Sequence, residues 1–222
     1  MKDPSRPAVV FDLDGTLLDT LDDLADSMNA VLARFGHPLH EREAYKYFVG
    51  DGMDKLVERA LPPSERNPSV ISHCLKAMQE EYGLRWNRKT RPYPGIPELL
   101  DALSGGGIPL TILSNKPHEA TVAAVAELLP RWEFRIVLGA KPSLPKKPDP
   151  AGALVIAQAL GIPPERFYYL GDTGTDMQTA VRAGMTPVGV LWGFRTEEEL
   201  KDNGASIILQ RPADLLSYLS LP

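Results

Sequence analysis

From residue 96 onward, short apolar runs take turns with helical segments, and that alternation is what most constrains the fold. Helical spacing covers residues 96–103, 119–129, 150–160 and 176–183. Strand-like runs cover 110–113, 134–138, 167–170 and 187–191, and the tail repeats the pattern at 207–209 and 212–219. Strands alternating with helices specify a parallel sheet with helices on both faces, since each connection must cross back over the sheet. One more buried strand, Ala8-Val9-Val10-Phe11, stands apart near the N-terminus.

Between that strand and its fellows the language is helical. Thr20 is placed to cap a helix with Asp22 and Asp23 in its first turn, where negative charge suits the helix dipole. Leu21, Leu24, Met28, Val31, Leu32 and Phe35 keep helical spacing until Gly36 and Pro38 stop it. Helical patches follow at 41–48, 53–61 and 68–82, and no convincing strand appears between about 18 and 90. Arg91-Pro92-Tyr93-Pro94-Gly95 is a stiff crossing back into the alternating region. The expectation is an α/β chain: a Rossmann-like three-layer parallel-sheet core from residues 1–17 and 91–222, with an all-helical cap domain, 18–90, inserted.

Bulk properties narrow the function classes. The net charge of −5 argues against nucleic acid or an anionic membrane as the main partner, while leaving a small anionic substrate open. The single cysteine, Cys74, allows no intramolecular disulfide and fits a reducing, cytoplasmic setting; in its helical context it reads as a small buried residue. The first seven residues are polar and hold no signal-peptide core.

Chemistry concentrates where strands end. Asp12-Leu13-Asp14-Gly15-Thr16, Ser114-Asn115-Lys116, Lys146-Lys147-Pro148 and Gly171-Asp172-Thr173-Gly174-Thr175-Asp176 each follow an apolar strand or its loop. In a parallel sheet all strand C-termini share one edge, so the four stretches converge. Singly, each has an ordinary explanation: Ser114-Asn115 as a helix cap, Lys147 as a surface lysine, Asp172 and Asp176 as turn residues. Together they make a site. Asp12 and Asp14 repel each other and need a cation, a proton or both. Carboxylates without histidine or cysteine form a hard oxygen site suited to Mg²⁺. Hydroxyl, amide and lysine groups beside it suit a phosphoryl group. A carboxylate attacking phosphate brings like charges together, at a cost of roughly 4 kcal/mol per unit-charge pair at about 4 Å and an effective dielectric near 20. Mg²⁺ and Lys147 are the cations available to offset it.

With these four stretches in order, the chain resembles the haloacid dehalogenase (HAD) superfamily, in the subgroup with a helical cap after the first motif. Val49-Gly50-Asp51-Gly52 followed by Leu56-Val57-Glu58-Arg59-Ala60-Leu61 resembles the cap of phosphoglycolate phosphatases, and Val188-Gly189-Val190-Leu191-Trp192-Gly193-Phe194 a later family segment. The resemblance implies a Mg²⁺-dependent phosphatase acting on a small phosphorylated metabolite. Asp12 would be the nucleophile. Asp14 would be the acid and base, kept protonated at the start by its carboxylate neighbours. Asp12, the Asp14 backbone carbonyl and Asp172 would bind Mg²⁺, with Asp176 in support. Ser114, Asn115 and Lys147 would hold the phosphoryl oxygens, the family pattern favouring Lys147 over Lys146. Thr16 would order the first loop.

The cap would close over the site and read the leaving group. Gly50-Asp51-Gly52 could offer backbone N–H groups to a substrate carboxylate or be a plain turn, and Arg59 and Lys55 could meet an anion or simply face solvent. A sugar-phosphate mutase, a pyrophosphatase or a nucleotidase would use the same scaffold. A phosphoacceptor signalling module is the alternative outside enzymes. The oligomeric state is not legible.

Overall fold

Residues 7–219 are described by a computed structural model of the chain. In chain order the regular elements are β1 (Ala8–Phe11), β2 (Leu18–Asp19), α1 (Leu21–Arg34), α2 (Tyr45–Phe48), α3 (Met53–Ala60), α4 (Pro68–Gly83), β3 (Arg91–Pro92), α5 (Ile96–Gly105), β4 (Leu110–Pro117), α6 (His118–Leu128), β5 (Phe134–Ala140), α7 (Ala151–Leu160), β6 (Phe167–Gly171), α8 (Gly174–Ala183), β7 (Thr186–Val190), α9 (Glu197–Asp202) and β8 (Ile207–Leu209). They divide into two compact units: the chain up to Leu18 with everything from Pro92 onward, and Asp19–Arg91.

The first unit is a Rossmann-like α/β fold. Its six strands run in the order β5-β4-β1-β6-β7-β8, all pairs parallel. β1 pairs with β4 on one side (Val9 opposite Leu110) and with β6 on the other (Val9 opposite Tyr168). The strand order reverses at this central strand, the place where open α/β sheets bind ligands. All four β1 residues are buried, which explains their continuous apolar run. Alternate residues Ala8 and Val10, with Phe167 and Tyr169, face one core cluster together with Ala153, Ile156 and Ala157 of α7 and Ala180 of α8.

The second unit packs α1 to α4. Leu24, Met28, Val31 and Leu32 of α1, Leu56 and Val57 of α3, and Cys74, Ala77 and Met78 of α4 are buried. Asp23, itself buried, accepts hydrogen bonds from the backbone of Lys89 (2.9 Å) and Thr90 (2.8 Å) and from the Thr90 hydroxyl (2.8 Å). Arg59 bonds to Asp51 and to the Phe48 carbonyl (3.2 Å), and Lys55 pairs with Glu58 at 2.7 Å. Both are thus held by groups of their own unit.

Several expectations need correction. Thr20 holds the N-cap position of α1 but makes no capping bond; the carboxylate of Asp19 accepts from Leu21 N at 3.3 Å instead. The helix expected at 41–48 is split into a 3₁₀ turn, Arg42–Ala44, and α2. The tail segment is a 3₁₀ helix, Pro212–Tyr218. β4 does not end at residue 113: it runs to Pro117, with an irregularity in its pairing to β5 between Leu113 and Pro117. Among the described residues no helix is long and apolar enough to cross a membrane. The reading of residues 1–6 as free of a signal core lies outside the described residues.

Candidate active site

The Asp12 carboxylate sits at the end of β1, where the chain turns sharply. Asp12 N donates to Leu170 O (2.9 Å) on β6, and Leu13 O then accepts from Leu17 N (3.0 Å) and Leu18 N (2.9 Å). Gly15 makes this loop possible. Its φ is +90°, and a Cβ there would lie 2.3 Å from an Asp172 carboxylate oxygen. Trp192 Nε1 fastens the loop by donating to Thr16 O at 2.9 Å.

Asp12, Asp172 and Asp176 bring their carboxylates together, with one oxygen of each within 4.8 Å of the others, and all three are buried. Lys147 closes the cluster. Its Nζ lies 2.8 Å from Asp12 Oδ1 and 2.6 Å from Asp176 Oδ1. Lys146, its neighbour, is exposed, so Lys147 is the lysine that reaches Asp12.

Each aspartate is differently supported. Asp172 accepts from the Thr16 hydroxyl (3.0 Å) and from Phe194 N (2.9 Å). Asp176 is the third residue of α8: its Oδ2 accepts from Thr173 Oγ1 (2.6 Å) and Thr173 N (3.2 Å), while Thr173 Oγ1 accepts from Asp176 N (3.3 Å). This capping box, together with Lys147, engages both Asp176 oxygens. Asp176 is thereby held as a support to the cluster more than as an open ligand.

The electrostatics show strain that a cation would relieve. Burial, then the charge of Asp176, raises Asp12 well above the ordinary carboxylate range, although Lys147 pulls the other way. Burial and Asp176 push Asp172 up to about 7, against the Phe194 N–H, Arg195 and the Thr16 hydroxyl. Burial alone would lower Lys147, but Asp12 and Asp176 hold it well above its usual value. Three buried carboxyl groups share one buried ammonium, so ionising all three carries a desolvation cost that a bound cation would offset.

Two site residues are placed differently from expectation. The Asp14 carboxylate stays out of the acidic cluster and faces Lys116, whose Nζ lies 3.2 Å and 3.3 Å from its two oxygens. The partner of Asp14 is therefore a cation and not the carboxylates expected to keep it protonated. The Asn115 side chain grips the backbone of Lys147: its Oδ1 accepts from Lys147 N (2.9 Å) and its Nδ2 donates to Lys147 O (3.2 Å). Asn115 thus positions Lys147. Ser114 is buried beside it, its Oγ accepting from Lys116 N at 3.2 Å.

Sequence reasoning included Lys116, Thr173, Trp192 and Phe194 in its motif stretches but assigned none of them a role. Lys116 had a usable signal, a charged residue following Ser114-Asn115 on a buried strand. The Phe194 amide had none, since any residue supplies it.

A sequence profile described as haloacid dehalogenase-like hydrolase matches residues 9–190. The chain belongs to the haloacid dehalogenase-like hydrolase family. It is 33% identical over 207 residues to a phosphoglycolate phosphatase of Mesorhizobium japonicum, covering 92% of this chain and 91% of that protein. It is 29% identical over 216 residues to phosphoglycolate phosphatase 1 of Pseudomonas aeruginosa, covering 94% and 78%. Among solved structures, a protein of Lactobacillus delbrueckii subsp. bulgaricus, assigned by inference to the phosphoglycolate phosphatases, superposes with a TM-score of 0.90. That pair shares 30% identity over 96% of this chain and 98% of the other. The family and these relatives mark the chain as an enzyme, a phosphatase-type hydrolase.

Proposed function

We propose that this protein is a Mg²⁺-dependent phosphatase of small organic phosphate monoesters, with 2-phosphoglycolate the favoured substrate. The observation that carries the reading is the buried meeting of Asp12, Asp172, Asp176 and Lys147 at the central edge of the sheet. The substrate preference leans on the relatives, which are phosphoglycolate phosphatases by name.

The donor set fits Mg²⁺. The metal-binding donors are all oxygen, and burial with the Asp176 charge raises Asp172 to about 7, a shift that a bound cation would oppose. Asp12 and Asp172 would hold the ion, with the Asp14 backbone carbonyl, and Asp176 would steady them. Bound there, the ion would neutralise charge on the phosphoryl oxygens and on the attacking carboxylate.

Asp12 attacks phosphorus with one carboxylate oxygen. The Asp–phosphorus bond forms as the bond to the bridging oxygen breaks; Asp14, which must enter this step protonated despite its pairing with Lys116, gives that oxygen its proton. Asp14 then takes a proton from water, which attacks the aspartyl-phosphate and releases inorganic phosphate with Asp12 restored. Lys147 lies against Asp12 at 2.8 Å, so it favours the ionised nucleophile against the opposing effect of burial and offsets the approach of two anions. The Ser114 hydroxyl donates to a phosphoryl oxygen, and Asn115 keeps Lys147 in place.

Phosphate release from a panel of monoesters, with and without Mg²⁺, tests the reading. Turnover is expected to need Mg²⁺, to be highest with 2-phosphoglycolate, and to fall to background in Asp12→Asn. Full activity of that variant would refute the nucleophile.

A further inference from the structure

Lys116 has been given no role in the phosphoryl-transfer steps, yet its ammonium stands beside the carboxylate that serves the leaving oxygen. Its side chain is 6% exposed and pairs with Asp14, 16% exposed. The backbone beneath it is fixed: Lys116 N donates to Ser114 Oγ (3.2 Å), and Thr121 Oγ1 donates to Lys116 O (3.2 Å). The ammonium therefore starts from a set position on β4.

The two lysines stand beside different aspartates. Lys147 touches Asp12, which bonds to phosphorus; Lys116 touches Asp14, which donates to the leaving oxygen. We propose that Lys116 determines specificity by pairing with a carboxylate on the leaving group, so that the site prefers phosphate esters of short hydroxy acids. This rests on the phosphatase reading above and assigns the residue that selects its substrate.

The geometry supports the reach. A proton-donating Asp14 sits at hydrogen-bond distance from the bridging oxygen, about 2.7 Å. In a 2-hydroxy-acid ester one carbon separates that oxygen from the carboxylate. A group so close to Asp14 falls within reach of an ammonium held 3.2 Å from the Asp14 carboxylate. An ammonium donates in three directions, so it can hold Asp14 and a substrate carboxylate together. Where both are largely withdrawn from water, that pairing is a charge-assisted bond of the stronger kind.

The test compares 2-phosphoglycolate with its uncharged amide, 2-phosphoglycolamide, in wild type, Lys116→Met and Lys116→Arg. The quantity read is the ratio of kcat/KM on acid over amide, which is internal to each variant and insensitive to how much protein folds. Wild type is expected to favour the acid, Lys116→Met to lose at least tenfold of that preference, and Lys116→Arg to recover most of it. Inhibition by glycolate should weaken in parallel in Lys116→Met. If Lys116 merely orients Asp14, both substrates lose activity equally and the ratio holds, which overturns the inference alone. A wild type with no preference for carboxylated esters overturns the substrate reading itself.

Discussion

At Gly15 the site leaves no room for a side chain. A side chain there meets the Asp172 carboxylate at 2.3 Å and would need a positive φ of 90°. Gly15→Ala is therefore expected to destabilise the protein by about 1–3 kcal/mol, through backbone strain and a displaced Asp172. Chemical denaturation should show it, with a matching loss of Mg²⁺ affinity by titration. Asn115 makes the complementary case. Its two bonds to the Lys147 backbone, at 2.9 Å and 3.2 Å, are worth about 1 kcal/mol each. At about 1.4 kcal/mol per factor of ten, Asn115→Ala should lower kcat/KM by about ten- to a hundredfold, in steady-state kinetics with unchanged circular dichroism. The types of these residues were legible in sequence because motif and chemistry coincide. Their partners were not: the bond from Asn115 to Lys147 joins stretches 32 positions apart. Nothing local distinguishes an amide that grips a neighbouring backbone from one that grips a ligand.

At the scale of elements, helix ends and strand ends do the positioning. α8 begins at Gly174 with Thr173 as its cap, two residues before the start expected from apolar spacing. The reason is that Asp176 serves the helix as well as the site, closing the box with Thr173 while Lys147 holds its other oxygen. Thr173→Ala removes the cap and one of the groups orienting Asp176. Loss of an N-cap costs about 1–2 kcal/mol, so the urea midpoint should fall accordingly. Turnover should drop as well, because a loosened Asp176 releases Lys147. Thr173→Ser, which keeps the hydroxyl, should restore both. β4 was misjudged at its C-terminus for a related reason: Ser114, Asn115 and Lys116 are polar and so read as a loop. They stay in extended backbone because Ser114 and Asn115 find polar partners inside the site and Lys116 finds Asp14. Apolar periodicity locates the middles of elements well, since burial sets it. Their ends follow polar bonding that periodicity does not register.

For the whole molecule, the parallel sheet flanked by helices was the most legible property, while the order of its strands was not. β1 lies between β4 and β6, and between β1 and β4 the chain passes through the separate unit Asp19–Arg91. It leaves through β2 and returns through β3, two short strands that pair with each other. The ends of the insertion are thus neighbours, and among the described residues one buried cluster of the α/β unit is made of residues outside it. Replacing residues 20–90 by a Gly-Ser linker of about six residues should therefore leave a folded α/β unit. Closing a loop of about six residues in place of about seventy lowers the loop-closure entropy by roughly 2 kcal/mol, which favours the shortened chain. Asp12, Asp172, Asp176 and Lys147 all remain, so Mg²⁺ should still stabilise it, by about 2.7 kcal/mol at a hundred times Kd. Thermal unfolding with and without Mg²⁺ reads both claims in one experiment. A broad, non-cooperative transition would mean that the α/β unit needs the inserted helices to fold. A sharp transition with no Mg²⁺ response would mean that the acidic cluster alone does not make the metal site.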